Sequence, residues 1–301
     1  MGDLPEPRVN RASRAFLHTG VDYAGPIVVR TAPGRGHRSQ KAYIAVFVCM
    51  TTKAIHLELV SDYTSPTFVA AYHRFISRRG LPQNVHSDNG TTFHGADREL
   101  SEAYKRASCN PNFLNQLIVD KTSWHFLPPA APHFGGLWEA GVKSVKHHLK
   151  RCIGKHTLTF EEMTTVLSRI EACLNSRPIA AVSESLDDYT ALTPGHFLIG
   201  TPLVAIPEPS VLELNENRLS RWQVVQRITE GFWKSWQNDY LQTLQQRPKW
   251  RIAQRLARVG QIVLIRNPLT PPSQWDLGRI QACHRGTDGC TRVVTITTSR
   301  W

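Results

Sequence analysis

The chain has 301 residues, of which 41% are hydrophobic and 20% charged, a globular composition that excludes collagen-like, wholly disordered and disulfide-scaffold proteins. Its longest strongly apolar run, about residues 42–50, is too short for a membrane span, which needs roughly 17–25 residues. The net charge of +12 and the isoelectric point near 9.7 favour polyanionic partners, above all nucleic acid. We therefore expect an intracellular protein that binds nucleic acid and does not enter a membrane.

The positive charge is concentrated in two stretches of the sequence. Residues 247–301 contain ten Lys or Arg and two acids, a net of +8, and residues 140–160 contain five Lys or Arg and no acid. A surface that is merely solvated usually mixes both signs of charge. The segregation therefore favours binding of a polyanion over an ordinary exposed surface.

A polar lead-in of residues 1–14 precedes three predicted strands, which span Phe16–Arg30, Ala42–Met50 and Ala54–Val60. The second strand is apolar throughout, as expected of a central strand that is covered on both faces. A helix follows, with Ser65 as its N-cap, Pro66 at its first position and Gly80 at its end. A short strand, Asn84–Ser87, then leads directly into Asp88.

The sequence beyond Asp88 predicts further elements of the same domain. Residues 95–121 indicate a helix and an inserted loop, residues 124–126 a short strand, and the Pro- and Gly-rich residues 127–136 an irregular surface loop. An amphipathic helix starts near Leu137, and another starts at Thr159 with a capping box. We predict a core domain over residues 15–200, a linker and long helix over 201–256, and a small β-barrel over 257–301.

Three acidic residues occupy suggestive places in these elements. Asp22 lies within a predicted strand among apolar neighbours, Asp88 ends another strand, and Glu139 lies in the first turn of a helix. Taken singly, each has an ordinary structural interpretation: a satisfied structural acid at Asp22, an Asx-Gly turn at Asp88 and a helix N-terminal acid at Glu139. Their joint occurrence, in the order strand, strand, helix, favours one shared site.

The grouping of these carboxylates has a consequence for charge. A carboxylate in a strand interior is costly unless its charge is offset, and three converging carboxylates repel one another. Mg²⁺ prefers carboxylate and water oxygens and accepts substrate phosphate as a further ligand. Two such ions about 3.5–4 Å apart activate a water or hydroxyl and stabilise the leaving oxygen in phosphoryl transfer.

Three segments around the acids resemble the catalytic blocks of retroelement integrases, namely Gly20–Pro26, His86–Phe93 and Pro132–Glu139. More narrowly, the chain is similar to integrases of BEL/Pao-type LTR retrotransposons in the segments Gly136–Lys146, Leu174–Pro178 and Leu192–Gly200. The resemblance covers nearly the whole chain, from about residue 4 onward.

This resemblance implies an α/β fold. It implies an RNase H-like catalytic core, with a mixed five-stranded sheet and helices, followed by a helical linker and a small SH3-like β-barrel. It also implies that Asp22, Asp88 and Glu139 are catalytic and bind two Mg²⁺ or Mn²⁺ ions. The implied activity is DNA integration: metal-dependent processing of the element's DNA ends and transfer of the strands into target DNA.

The resemblance also implies partners for the chain. Lys143 and Lys146 lie four and seven residues after Glu139 on one helical face, and with Lys150 they correspond to contacts with the DNA end. Asn89 corresponds to a residue that supports the second metal ligand or the nearby phosphate. The expected partners are element and target DNA and further copies of the chain, and the expected location is the nucleus.

Two other functions stay open at this stage. One is a decayed or host-retained copy that binds DNA without joining it, and the other is an RNase H-type nuclease with the same metal chemistry. The intact acidic triad favours joining, whereas the 21 residues before Asp22 are too few for the family's N-terminal zinc domain and favour binding alone. The basic C-terminal region favours an integrase over a nuclease.

Overall fold

A computed structural model describes the chain at residues 14–32, 34, 36, 38–88, 90–108, 122–126, 136–154, 156–182, 190–244, 257–267, 269–287 and 291–298. Within two of its helices, the side chains of residues 103–108, 136–142 and 144 are outside this description. In the part of the chain so described, none of the helices has the length and apolar character needed to cross a membrane.

The centre of the fold is a mixed sheet of five main strands: β1 (His18–Arg30), β2 (Ser39–Cys49), β3 (Ile55–Val60), β4 (Asn84–Ser87) and β5 (Ser123–Phe126). Their spatial order is β3-β2-β1-β4-β5. Strands β1, β2 and β3 pair antiparallel, whereas β4 and β5 extend the sheet from β1 in parallel. The predicted mixed five-stranded sheet is therefore confirmed.

Six α-helices are present among the described residues: α1 (Ser65–Arg79), α2 (Thr91–Ser108), α3 (Gly136–Ile153), α4 (Phe160–Asn175), α5 (His196–Ile199) and α6 (Arg221–Leu244). A 3₁₀ turn spans Glu216–Arg218, and three short strands complete the described core, namely β6 (Leu158–Thr159), β7 (Ala180–Ala181) and β8 (Ala191–Leu192). Strand β6 pairs with the end of β1, and β7 pairs with β8. Residues 109–121 and 127–135, which include most of the predicted surface loop, lie outside the described residues.

Strand β2 explains how the sheet holds two helical layers. One face of β2 joins a core of α3, α4 and α6, to which it contributes Ala42, Ile44, Val46 and Val48. The other face joins an aromatic core of α1 and α2, to which it contributes Ala45, Phe47 and Cys49. Its continuous apolar sequence follows from burial on both faces.

Two helix starts differ from the sequence prediction: α2 begins at Thr91, before the predicted residue 95, and the N-cap of α1 is shifted by one residue. Thr159 and Glu162 form the predicted capping box at α4, with Thr159 N donating to Glu162 Oε2 at 2.8 Å and Glu162 N donating to Thr159 Oγ1 at 3.2 Å. Gly80 ends α1 with φ of 84°, as its lack of a Cβ permits. The prediction of Ser65 as N-cap was wrong by one residue: Thr64 is the N-cap, and Ser65 Oγ donates instead to Thr92 O at 3.1 Å.

The C-terminal region forms a three-stranded antiparallel sheet of β9 (Ile262–Ile265), β10 (Asp276–Arg285) and β11 (Thr291–Thr298), in the order β11-β10-β9. A closed SH3-like barrel is not shown by these strands and stays a prediction. The segment before β10 is anchored to the core by Trp275, whose ring packs 5.0 Å from Trp233 and 5.5 Å from Tyr240. Trp275 Nε1 also donates to Ser176 Oγ at 3.2 Å.

The outer edge of the sheet is closed by side chains of α4. Asn175 Oδ1 accepts from Ile55 N and Asn175 Nδ2 donates to Ile55 O, both at 2.8 Å. Glu171 Oε2 accepts from Leu57 N at 2.9 Å. Since these side chains hydrogen-bond to outward-facing backbone groups of β3, they block pairing of this edge with another strand.

A buried ion network lies behind the same edge. His56, which is 2% exposed, contacts Glu58 and Glu171 at 3.1 Å each. Burial alone would lower the pKa of His56, but hydrogen bonds to Glu171 and Glu58 outweigh it and raise that pKa. Arginines supply the remaining positive charge, with Arg74 and Arg78 on Glu58 and Arg79 on Glu171. Burial opposes the charge on both carboxylates, yet bonds from His56 hold each pKa below its usual value.

We predict that His56→Ala lowers the free energy of unfolding by about 3 kcal/mol at pH 6, because it leaves two buried carboxylates short of a partner. The raised pKa of His56 means that its contribution is complete below pH 6.5 and is lost as the pH rises through the folded-state pKa. Urea unfolding at pH 6 and pH 9 should therefore show a smaller pH effect in the variant than in wild type.

The matched control is His73→Ala, which removes an exposed histidine from α1. It should change stability by less than about 0.5 kcal/mol and leave the pH effect intact. Equal pH effects in wild type and His56→Ala would contradict the charged network.

Candidate active site

The strand register places two of the three predicted acids side by side. In the parallel pair of β1 and β4, Gly20 lies opposite His86. Asp22 lies two residues farther along β1, on the same face of the sheet as Gly20, and Asp88 is the first residue after β4, close enough for its charge to act on Asp22. Helix α3 covers this face of the sheet, because the side chain of Lys146 on α3 reaches Asp22.

Asp22 sits in a half-enclosed position. Its side chain is 22% exposed, its Oδ1 accepts from Tyr23 N at 2.6 Å, and its Oδ2 accepts from Lys146 Nζ at 3.4 Å. Burial raises the pKa of Asp22, the charge of Lys146 opposes this rise, and the nearby charge of Asp88 adds to it. The site therefore holds a carboxylate whose negative charge is incompletely compensated.

Asp88 is exposed and forms the turn that opens α2. Its Oδ1 accepts from Gly90 N at 3.0 Å, so the Asx-Gly turn expected from the sequence is present. A Cβ at position 90 would lie 3.0 Å from Asp88 Oδ1 and 3.3 Å from the Tyr63 hydroxyl. Because Gly90 has no side chain, the Asp88 carboxylate and the Tyr63 hydroxyl both lie close to its backbone at the rim of the site.

Helix α3 supplies the basic side of the site. Val145 and Leu149 are buried against the sheet, and α3 also packs on α6, where His148 lies 3.2 Å from Asp239. Lys143, Lys146 and Lys150 are exposed on this helix. Lys146 is thus both exposed and bonded to Asp22, a pairing that the sequence did not predict.

The remaining predicted site residues are less fully described. Glu139 lies in the first turn of α3, seven residues before Lys146, which places both positions on one face of the helix. The side chain of Glu139 and the whole of Asn89 lie outside the described residues. Asp22, Asp88 and Lys146 are therefore the predicted residues that the structure brings together.

The described carboxylates suit a hard divalent cation. Carboxylate oxygens are the ligands that Mg²⁺ prefers, and Asp22 carries charge that a cation would offset. Among the side chains that the structure describes, no group of three or more His, Cys, Asp or Glu could hold a metal ion. A complete site therefore needs a further ligand, for which Glu139 is the sequence-predicted residue.

An aromatic group beside the carboxylates was not predicted from the sequence. The rings of Tyr23 and Tyr63 lie 4.7 Å apart, and those of Tyr43 and Tyr63 lie 5.5 Å apart. These residues come from β1, β2 and the turn after β3. Only strand pairing brings them together, so no local sequence pattern marks them.

Comparison with known proteins gives limited matches. Residues 220–301, which include α6 and the C-terminal sheet, match a family described as a family of unknown function, DUF5641. A search of curated proteins gives no match.

The chain is similar to several solved structures at low identity. It shares 14% identity with a chain of the simian T-cell lymphotropic virus intasome, covering 72% of this chain and 66% of that one, with a TM-score of 0.40. It shares 16% identity with the HTLV-2 integrase catalytic core domain in complex with magnesium, covering 62% of this chain and 99% of that one, with a TM-score of 0.36. It shares 16% identity with the catalytic core domain of BIV integrase, covering 62% of this chain and 95% of that one, with a TM-score of 0.38.

We predict that Asp22→Asn stabilises the metal-free protein at pH 7. The pKa of Asp22 is raised in the folded state, so its ionisation opposes folding above that pKa. Thermal unfolding without metal should show a higher Tm for the variant at pH 7 and a shrinking difference as the pH falls through the raised pKa.

The same measurement with added Mg²⁺ tests ligation. Magnesium should raise the Tm of wild type and not that of Asp22→Asn, because binding to the folded state stabilises it. Glu99→Gln, an exposed acid on α2, is the control that should behave as wild type. A destabilised, magnesium-responsive Asp22→Asn protein would count against the site.

Proposed function

We propose that this chain is an integrase-type polynucleotidyl transferase, most similar to those of BEL/Pao-type LTR retrotransposons, with an RNase H-like core and a C-terminal SH3-like barrel. Its reaction is metal-dependent processing of DNA ends and their transfer into target DNA. The observation that carries the proposal is the proximity of Asp22 in β1 to Asp88, the first residue after the adjacent parallel strand β4, beneath the helix that contains Glu139.

In this proposal the three acids hold the metal ions and the lysines hold the substrate. The chemistry that Mg²⁺ or Mn²⁺ would supply there, if bound, is activation of a water or a DNA 3′-hydroxyl and stabilisation of the leaving oxygen. Asp22 would contribute a carboxylate from strand β1, Asp88 one from the turn after β4, and Glu139 a third from α3. Because the sheet holds Asp22 and the Asx turn holds Asp88 before substrate binds, little reorganisation of these two carboxylates is needed at the moment of reaction.

Lysines of α3 hold the DNA backbone next to the acids. Lys143, Lys146 and Lys150 are exposed on the helix that packs over Asp22. Lys146 offsets the charge of Asp22 in the metal-free protein. In this proposal the exposed ammonium of Lys146 also binds a phosphate of the DNA beside the acids.

The basic C-terminal region extends the same proposal. It carries a net charge of +8 over residues 247–301, and Arg258, Arg266, Arg285 and Arg292 of its described part are exposed. Such charges bind DNA backbone with little sequence preference and supply positioning rather than chemistry. Assembly of several copies on DNA and a nuclear location complete the proposal.

One observation favours a second candidate, a DNA-binding protein without joining activity. The Lys146–Asp22 ion pair gives the carboxylate a cationic partner from the chain itself, as expected of a protein that balances this acid with lysine and binds DNA without cutting it. The two functions differ in whether Mg²⁺ produces nicked and joined DNA from a short duplex.

We predict that Asp88→Asn lowers Mg²⁺-dependent nicking and joining of a short duplex by at least about a hundredfold, because a metal ligand contributes several kcal/mol to the transition state. A gel assay measures both products, and circular dichroism should show an unchanged fold because Asp88 is exposed. Glu99→Gln should retain wild-type activity. Cleavage that survives in Asp88→Asn excludes the proposed site, and wild-type binding without cleavage supports the second candidate.

We predict that Lys143→Ala combined with Lys146→Ala weakens binding to duplex DNA and flattens its salt dependence. Each lost phosphate contact lowers the slope of log affinity against log salt by about 0.9, so the double variant should lose about 1.8. Fluorescence anisotropy between 50 and 200 mM salt measures this slope. Lys234→Ala, an exposed lysine of α6, is the control. An unchanged slope in the double variant would show that these lysines are solvated and do not contact DNA phosphates.

A further inference from the structure

A cluster of three tyrosines lies at the rim of the candidate site, on the side of α1 and α2. Tyr23 is 6% exposed and stacks on Phe93 with ring centroids 5.4 Å apart and planes 19° apart. Tyr63 packs against Tyr23 and Tyr43 at 4.7 and 5.5 Å. The ring of Tyr63 therefore rests on a rigid aromatic base built from strands β1 and β2.

Tyr63 is also the open member of the cluster. It is 41% exposed, so part of its ring faces solvent although the rest is packed. Exposure of an aromatic ring on a rigid support is unfavourable in water and favours contact with another flat apolar surface. Neither the mixed sheet nor the carboxylate site requires this exposed ring.

The position of Tyr63 ties the cluster to the carboxylates. A Cβ built on Gly90 would lie 3.3 Å from the Tyr63 hydroxyl and 3.0 Å from Asp88 Oδ1, so both groups border the same small space. Burial raises the pKa of Tyr63, and the charges of Asp88 and Asp22 raise it further. The hydroxyl therefore lies beside the place where the proposed function puts the scissile phosphate.

We propose that Tyr63 is a substrate-positioning contact whose exposed ring stacks on an unpaired nucleobase next to the scissile phosphate. The inference rests on the proposed function for the location of that phosphate. The ligand class is a DNA strand with unpaired bases, since a base inside a duplex already stacks on its neighbours. Stacking of this kind tolerates any sequence, because every base has a π-face.

The test uses the full chain and two fluorescein-labelled probes in buffer without divalent metal: a 12-nucleotide single strand and a fully paired duplex of the same sequence. Tyr63→Ala should weaken single-strand binding about tenfold, equivalent to about 1.4 kcal/mol, and change duplex binding less than twofold. Tyr63→Phe keeps the ring and should bind both probes as wild type does. Phe160→Ala removes a ring of similar exposure, 38%, from the start of α4 and should also bind as wild type.

Each outcome decides the inference. Unchanged single-strand binding by Tyr63→Ala, or an equal loss on both probes, overturns stacking. An equal loss in Tyr63→Phe and Tyr63→Ala assigns the effect to the hydroxyl and also overturns it. Circular dichroism and Tm of Tyr63→Phe and Tyr63→Ala identify any loss of fold.

A second arm separates this inference from the proposed function. In Mg²⁺-dependent cleavage of a duplex with an unpaired end, Tyr63→Ala should raise KM about tenfold with kcat nearly unchanged. A wild-type protein that shows the selective Tyr63 effect on binding but cuts no DNA retains the stacking contact while the proposed function fails. A protein that cuts DNA equally well with and without the Tyr63 ring retains the proposed function while the inference fails.

Discussion

The parallel pairing of β1 with β4 is the constraint on which the candidate site depends. It sets Gly20 opposite His86 and so brings Asp22 close to Asp88, the first residue after β4. Successive residues of a strand alternate between faces, so a shift of one residue in this register would separate the two carboxylates. The antiparallel pairing of β1 with β2, in which Asp22 lies opposite Val46, holds the register from the other side.

The packing of α3 and α6 on the sheet positions the basic side of the site. Val145 and Leu149 fix α3 over β1, and α6 supports α3 from outside through residues such as Phe232. The C-terminal segment adds Trp275 to the same layer. Basic residues of α3 therefore project from a helix that is held on two sides, and Lys146 meets Asp22 as a result of that packing.

Three carboxylates of the fold lie in two opposite electrostatic environments. Glu58 and Glu171 lie among His56 and arginines, which hold the pKa of each carboxyl below its usual value. Asp22 has one lysine at 3.4 Å, and burial raises its pKa. The first arrangement stabilises a sheet edge, whereas the second leaves the charge of Asp22 only partly compensated, as is typical of functional sites.

The sequence by itself determined the main strands and longer helices and marked Asp22, Asp88 and Glu139, because hydrophobic periodicity, caps and turn residues act over a few neighbouring positions. Thr159 and Glu162 show this at α4, while the N-cap at Thr64 in place of Ser65 shows how little separates adjacent candidates. Ligation of metal by the three acids stays a prediction. Only the tertiary structure decided that Lys146 bonds Asp22 and that Tyr63 borders Asp88, since strand register and helix packing join residues far apart in the chain.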